Sequence, residues 1–206
     1  MTRTLELGIV STTATERAST LRIACIGWGS LIWDRRNLSI VSATEGWYVD
    51  GPYLPIEFAR QSLNDRLTLV ICGGAAPVQV LWAHMDFGTL EEARINLADR
   101  EGSNLIGTYP AASHLPYGDV IARWAKAKNL DGVVWTALGP KFDGVSNRIP
   151  TEVHALTYLK HLVSSGRGGR AEQYVRYAPP QIATAYRSAI ERELGWTSRD
   201  SNKGIG

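Results

Sequence analysis

The chain has 206 residues, and its 22 Lys and Arg nearly balance its 20 Asp and Glu, which leaves a formal net charge of +2. This length is typical of one domain with a substantial hydrophobic core, and the charge gives no reason to expect a nucleic-acid or membrane partner. The two cysteines, Cys25 and Cys72, lie in apolar stretches, which favours buried free thiols over a disulfide or a catalytic pair. We therefore expect a small-molecule ligand.

The two ends of the chain differ in composition from its middle. Residues 11–20 are rich in Ser, Thr and charge, and the chain closes with the polar sequence SRDSNKGIG. We expect flexible segments over 1–20 and 197–206 and a single folded domain over 21–196. The first residues lack the basic and apolar regions of a signal peptide, and no apolar run reaches the roughly 18 residues of a membrane span, so we expect a cytoplasmic location.

Hydrophobic periodicity and turn residues predict the main elements in chain order. Strands are predicted over 21–26, 66–72, 78–85 and 133–138. Helices are predicted over 89–100, 119–128, 153–164 and 180–194, with the glycine-rich residues 164–170 as a flexible loop between the last two. Because strands come first and the last helices follow, we expect the α+β class.

Two glycines flank a tryptophan directly after the first predicted strand, in the sequence GWGSL of residues 27–31. A strand interior disfavours glycine, which packs nothing and loses backbone entropy on folding. The pair therefore predicts either a sharp turn or a backbone that a ligand approaches closely.

The first predicted helix carries signals at both of its ends. Thr89 and Glu92 match a capping box, and Gly102 suits the left-handed position just after the C-terminus. At about 100° per residue, Glu101 falls on the apolar stripe that contains Leu97, away from the other acidic residues of the helix. We therefore expect one carboxyl group on the core-facing side of the last turn.

Burial and the negative end of the helix dipole both disfavour the anionic form of Glu101, so both raise its pKa toward neutral pH. A carboxyl group with such a pKa can act as a general acid and base. Two other interpretations stay open. Glu101 could be a frayed, solvated residue, or Arg94, two turns earlier on the same arc, could form an ion pair that lowers its pKa.

Three stretches in this order resemble the gamma-glutamylcyclotransferase-like superfamily, with its ChaC-type branch as the closest match: GWGSLIW, VLWAHMDF, and LADREGS followed by GTYP. In that family a Tyr-Gly-Ser-Leu type loop follows the first strand, and a Leu-Asp-x-x-Glu-Gly motif at a helix end carries the catalytic Glu. The resemblance implies an α+β fold with a mixed β-barrel or sheet and flanking helices. It places Glu101 at the catalytic position. It places the substrate-binding loop at Gly27, Trp28, Gly29, Ser30 and Leu31.

The implied reaction is an intramolecular aminolysis without cofactor or metal. The α-amine of a small gamma-glutamyl substrate attacks its own side-chain amide, forms 5-oxoproline and releases an amine or a shortened peptide. Glu101 would act as base and then as acid, and the backbone N–H groups of residues 27–31 would bind the substrate carboxylate or the oxyanion. The alternative is a non-catalytic binding protein for gamma-glutamyl compounds or other small molecules on the same fold. The sequence leaves the leaving group and the oligomeric state open.

The sequence departs from the family pattern at three places. Trp28 replaces the usual Tyr, so any hydroxyl that the family places there is missing. Ala98 stands where the motif often has Asp. Residues 110–130 contain an insertion with a Pro-rich loop and an amphipathic helix, which could cover the site and change the leaving group that it accepts.

Two further residues are candidates for substrate binding. The family often has a basic or hydroxyl side chain facing the pocket near Arg60, which makes this residue a candidate carboxylate binder, with a surface or structural role as the alternative. Tyr109 follows the second motif and could position substrate or pack as an ordinary tyrosine. The four His residues lack the spacing of metal ligands, and residues 164–170 lack the Lys-Ser/Thr ending of a phosphate loop.

Overall fold

A computed structural model describes residues 21–41, 46–111 and 115–199. These residues contain nine β-strands and five α-helices, so the predicted α+β class is confirmed. The strands are β1 Ile23–Gly27, β2 Tyr53–Ser62, β3 Arg66–Ile71, β4 Pro77–Gln79, β5 Leu81–His84, β6 Ile106–Tyr109, β7 Gly132–Thr136, β8 Lys141–Phe142 and β9 Val145–Ser146. The helices are α1 Leu90–Glu101, α2 Gly118–Ala127, α3 Glu152–Ser164, α4 Gly169–Tyr177 and α5 Ala185–Leu194.

The strands form two mixed sheets. The first has the order β5-β1-β7-β6, in which β1 runs parallel to β7 and antiparallel to β5. The second has the order β3-β2-β8-β9, and β4 pairs with β2. In the described part of the chain neither sheet closes into a barrel.

Strand β1 is buried along its whole length because it packs on both of its faces. Ala24 and Ile26 belong to the larger hydrophobic cluster, which α2 to α5 help to form. Ile23 and Cys25 point the other way, to a smaller cluster that includes Leu97 of α1. This alternation follows from the two-residue period of a strand. Strand β1 therefore positions the glycine-rich loop that follows it beside the C-terminal end of α1.

Several predicted elements are confirmed and others differ in extent. Both cysteines are buried free thiols, as predicted. The predicted strand over 78–85 is interrupted after Gln79, because β4 pairs with β2 while β5 pairs with β1. Helix α5 begins at Ala185 and not at residue 180, since Thr184 Oγ1 accepts the N–H of Arg187 at 3.1 Å and fixes the N-terminus there.

Five elements were not predicted: β2, β6, β8, β9 and α4. Helix α4 overlaps the loop predicted over 164–170, of which only residues 165–168 connect the two helices. The glycines at the start of α4 favour a loop prediction, although the buried side of this helix, which includes Tyr174, packs on β3.

The predicted flexible segments fall mostly outside the described residues, namely the whole of 1–20 and residues 200–206. Within the described part, Arg199 N–H donates to the carbonyl oxygen of Arg176 at 2.9 Å, and Arg187 donates to Ser198 Oγ. No helix of the described residues combines the length and apolar character that crossing a membrane requires.

Candidate active site

Helix α1 begins and ends where its local chemistry predicts. Thr89 Oγ1 accepts the N–H of Glu92 at 3.2 Å, and Glu92 Oε2 accepts the N–H of Thr89 at 2.9 Å, which completes the capping box. Gly102 adopts the left-handed conformation with a φ of 62°. Glu101 is thereby fixed as the last helical residue.

The Glu101 side chain is only 16% exposed and lines a cavity of about 210 Å³. It is therefore not a solvated residue at a frayed helix end. The alternative partner Arg94 instead contacts Glu91, at 2.6 Å between Nη2 and Oε1, on the exposed side of α1. The inward position calculated from the helix rotation thus agrees with the structure.

Arg100, which the sequence did not single out, connects Glu101 to the glycine-rich loop. Its side chain is 3% exposed, and its Nη1 donates to Glu101 Oε1 at 3.1 Å. Its Nη2 donates to Ser30 Oγ at 3.1 Å and to the carbonyl oxygen of Asp34 at 2.6 Å. One guanidinium therefore holds the helix end, the loop and the carboxylate in a fixed relation.

Burial raises the pKa of Glu101 above its ordinary value, while the positive charges of Arg100 and Arg36 oppose this effect. The net direction is upward because desolvation of the carboxylate is the larger effect. The site thus combines an ion pair that orients Glu101 with an environment that favours its protonated form.

The glycines at 27 and 29 allow close packing, and neither needs the left-handed conformation. A Cβ atom at Gly27 would lie 2.9 Å from the Trp47 ring, and one at Gly29 would lie 2.5 Å from the Tyr174 hydroxyl. The chain turns just after this point, since Ile32 N–H donates to the Gly29 carbonyl oxygen at 3.0 Å. The close approach predicted at these glycines therefore involves protein side chains.

The backbone N–H groups of the loop are the candidate anion donors. Within residues 21–41, 46–111 and 115–199, no acceptor pairs with the N–H groups of Gly29, Ser30 or Leu31. All three residues line the cavity that contains Glu101. Unpaired N–H groups beside a cavity suit an anionic group of a ligand.

The predicted site residues fall into two groups. Trp28, Gly29, Ser30, Leu31, Arg60 and Glu101 line the one cavity. Gly27 and Tyr109 do not. Gly27 is the last residue of β1 and lies close to the Trp47 ring. Tyr109 lies on β6, opposite Val133 of β7, and its ring packs against the hydrophobic core.

Trp28 and Tyr174 are the two aromatic residues that line the cavity in the described part of the chain. Trp28 is buried, and its Nε1–H donates to the carbonyl oxygen of Leu69 at 3.2 Å, so it forms a wall of the cavity. Tyr174 Oη accepts the N–H of Leu69 at 3.3 Å, and its own proton has no acceptor among the described residues. Burial raises the pKa of Tyr174 to about 12, so the hydroxyl stays neutral and can donate.

The described residues of the insertion do not line this cavity. Its helix, α2, packs with Trp124 against Trp82, and Trp124 Nε1–H donates to the carbonyl oxygen of Asp50 at 3.1 Å. None of the α2 residues lines the cavity. Helix α2 therefore does not cover the site, because its apolar side is packed on the first sheet, while residues 112–114 of the insertion lie outside the described residues.

Four arginines line the cavity, and Glu101 is its one carboxylate among the described residues. They are Arg36, Arg60, Arg66 and Arg100. A cavity with this excess of positive charge favours an anionic ligand. Comparisons with protein-family models, with curated proteins and with solved structures found no match to this chain.

Proposed function

We propose that the protein is a gamma-glutamylcyclotransferase-type enzyme with the fold of that superfamily. It would convert a gamma-glutamyl amide or peptide to 5-oxoproline, with Glu101 as general base and then general acid. The observation that supports this best is that Glu101 and residues 29–31 line one cavity although they stand far apart in the sequence. The two buried free thiols suit the cytoplasmic location expected for such an enzyme.

The reaction needs only proton transfers and stabilisation of an oxyanion. The Glu101 carboxylate takes a proton from the substrate α-ammonium, and the free amine attacks the side-chain carbonyl carbon. A new carbon–nitrogen bond closes the five-membered ring and places negative charge on the carbonyl oxygen. Glu101 then gives its proton to the leaving nitrogen as the original carbon–nitrogen bond breaks. The second proton of the new ring nitrogen passes through the regenerated Glu101 carboxylate to the released amine, which leaves as an ammonium.

The charges and burial in the cavity favour the first proton transfer by acting on both the acceptor, Glu101, and the donor, the substrate ammonium. Burial makes Glu101 a better proton acceptor than an ordinary carboxylate, because it raises the pKa of this residue. The neighbouring arginines destabilise a bound ammonium and so lower its pKa. The unpaired N–H groups of residues 29–31 and the Tyr174 hydroxyl are then available for the substrate carboxylate and the oxyanion.

One observation favours the non-catalytic alternative. Arg100 already contacts Glu101 at 3.1 Å, and such an ion pair stabilises the anionic form of Glu101. A general acid, in contrast, must be protonated before it can donate its proton. A binding protein would use the same cavity but would leave a bound gamma-glutamyl compound unchanged.

Turnover assays with gamma-glutamyl amines, gamma-glutamyl dipeptides and glutathione, with 5-oxoproline detected by mass spectrometry, distinguish the two functions. We expect product from at least one substrate, and we expect Glu101→Gln to abolish it. Glu91→Gln is the matched control, because Glu91 lies on the same helix but pairs with Arg94 in solvent. Absence of product from every substrate, or full activity of Glu101→Gln, would refute the proposal.

A further inference from the structure

An apolar cavity of about 400 Å³ lies between the end of β3, the start of α2 and the segment that connects β7 to β8. Its largest lining side chains are Ile71, Leu115, Tyr117, Trp135, Leu138 and Ile149. The volume falls within the usual range of small-molecule sites, roughly 300–1,000 Å³. This apolar cavity is therefore large enough for a ligand of its own.

The apolar cavity is separate from the cavity that contains Glu101. Val70 and Thr136 line the cavity of Glu101, whereas the residues that follow them, Ile71 and Ala137, line the apolar cavity. This alternation follows from the two-residue period of extended chain. Of the described residues, Leu138 alone lines both cavities. A ligand of the apolar cavity therefore contacts a different set of side chains.

The two cavities also differ in charge. None of the twelve described residues that line the apolar cavity is charged, whereas four arginines and Glu101 line the other cavity. Transfer of a charged group from water to an uncharged, apolar site is costly. The apolar cavity therefore favours a neutral ligand, and it does not suit a gamma-glutamyl group, which carries a carboxylate and an ammonium.

Trp135 brings a hydrogen-bond donor to this apolar lining. Its side chain is 1% exposed, and its Nε1–H has no acceptor among the described residues. The indole N–H groups of Trp28, Trp82 and Trp124, in contrast, each donate to an oxygen atom. Because a buried donor without an acceptor is costly, a ligand that accepts from Trp135 gains affinity.

Gly107 makes room for this indole. The two residues are cross-strand partners on β6 and β7, and a Cβ atom at Gly107 would lie 2.6 Å from Trp135 Nε1. Any other amino acid at this position would displace the ring. The indole can therefore extend across β6, the strand on which α2 packs.

Tyr117, directly before α2, adds a second polar group to the apolar cavity. Its hydroxyl would lie 3.7 Å from a Cβ atom at Gly73, and it has no hydrogen-bond partner among the described residues. Its backbone has a φ of 66°, which a bulky residue rarely adopts. The packing around the cavity therefore holds this ring in place against its own backbone preference.

We infer that the apolar cavity binds a neutral, largely apolar small molecule, and that the Trp135 N–H donates to a carbonyl or similar oxygen of this ligand. An apolar lining with few polar groups, which fix the orientation of the ligand, is typical of small-molecule sites. The inference goes beyond the proposed function and does not rest on it, because it uses neither Glu101 nor the arginines.

NMR titration with two matched probes tests this inference. The probes are acetophenone and α-methylstyrene, which has a methylene group in place of the carbonyl oxygen. The indole N–H signals of the seven tryptophans are followed in isotope-labelled protein, and the signal that is missing from Trp135→Phe identifies Trp135. We expect acetophenone to shift this signal and to bind with a Kd below about 1 mM, at least about three-fold more tightly than α-methylstyrene. Trp135→Phe should remove this preference.

Three further variants locate the bound probe. Ala137→Leu fills part of the apolar cavity and should weaken the binding of both probes by at least about ten-fold. Ala127→Leu, at the exposed end of α2, is the matched control and should leave both affinities unchanged. Glu101→Gln should also leave them unchanged, because Glu101 lines the other cavity.

The titration of the native protein decides the question even if Ala137→Leu fails to fold. No binding of acetophenone at about 10 mM would overturn the inference. Equal affinity for the two probes would overturn it as well, and so would binding that leaves the Trp135 signal in place. An affinity that falls in Glu101→Gln but not in Ala137→Leu would place the probe in the other cavity and would have the same consequence.

Discussion

Replacing Arg100 by Met keeps a side chain of similar length but removes the guanidinium that holds the candidate site together. The native side chain is 3% exposed and donates to Glu101, to Ser30 and to the carbonyl oxygen of Asp34. Removal of one partner of a buried ion pair costs roughly 3–5 kcal/mol, because the remaining charge is uncompensated. Since Arg36 also acts on Glu101, we expect a loss near the low end, about 3 kcal/mol.

The loss of stability in Arg100→Met depends on pH in a direction that the structure fixes. Burial already raises the pKa of Glu101, and without Arg100 the opposing effect weakens, so the pKa rises further. The folded variant then keeps the Glu101 proton at pH values where the unfolded chain has lost it, so its free energy of unfolding falls as pH rises. We expect a larger loss at pH 8 than at pH 5.

Urea unfolding followed by tryptophan fluorescence at the two pH values measures this difference. Arg94→Met is the matched control, because Arg94 lies on the same helix but pairs with Glu91 in solvent, where such pairs contribute about 0–1 kcal/mol. A loss below about 1 kcal/mol, or an equal loss at pH 5 and pH 8, would refute the reasoning. The proposed function further predicts that this variant moves the acidic limb of the kcat/KM profile to higher pH.

Three further changes test the packing of the site. Tyr174→Phe should lower the free energy of unfolding by about 1–3 kcal/mol, because it leaves the buried Leu69 N–H unpaired, and it should lower kcat. Urea unfolding and steady-state assays measure the two effects. An unchanged kcat would exclude a role for the hydroxyl in the reaction. Gly29→Ala should cost roughly 1–3 kcal/mol, because its Cβ would lie 2.5 Å from the Tyr174 hydroxyl, whereas Gly88→Ala, with its nearest neighbour at 3.8 Å, should cost far less. If the hydroxyl causes the clash, combining Gly29→Ala with Tyr174→Phe should give less than additive losses in denaturation. Leu97→Ala should lower the free energy of unfolding by about 2–5 kcal/mol in urea denaturation, since this α1 side chain is fully buried. A loss below about 1 kcal/mol would contradict the packing described.

Helix α1 could be predicted because all the chemistry that defines it is local. Thr89 and Glu92 fix its start, Gly102 fixes its end, and the helical rotation between them determines which side Glu101 faces. Each of these interactions spans a few residues, so a single sequence is sufficient to find them.

Strand β2 could not be predicted in the same way, because its pattern makes sense only with distant partners. Pro55 and the charged Glu57 interrupt the apolar residues of the segment. Glu57 is nevertheless buried, since Thr184 Oγ1 donates to it at 2.5 Å and Tyr186 N–H donates at 3.2 Å. Both partners stand more than 120 residues later in the chain, with separations of 127 and 129.

The candidate site was half predictable for the same reason. The motifs locate Glu101 and residues 28–31, but they give no sign that Arg100 bridges them or that Tyr174 lies against Gly29. These contacts depend on how the loop after β1, helix α1 and helix α4 pack together, and neither periodicity nor spacing contains that information.

Because Tyr174 belongs to α4, the order of synthesis bears on when the site can exist. The ribosome releases β1 and α1, and with them both motifs, well before α4 emerges. Until then the nascent chain contains Glu101 and its loop but lacks the wall that Tyr174 supplies. A polypeptide truncated before Gly169 would keep every residue of the two motifs and still present an incomplete cavity.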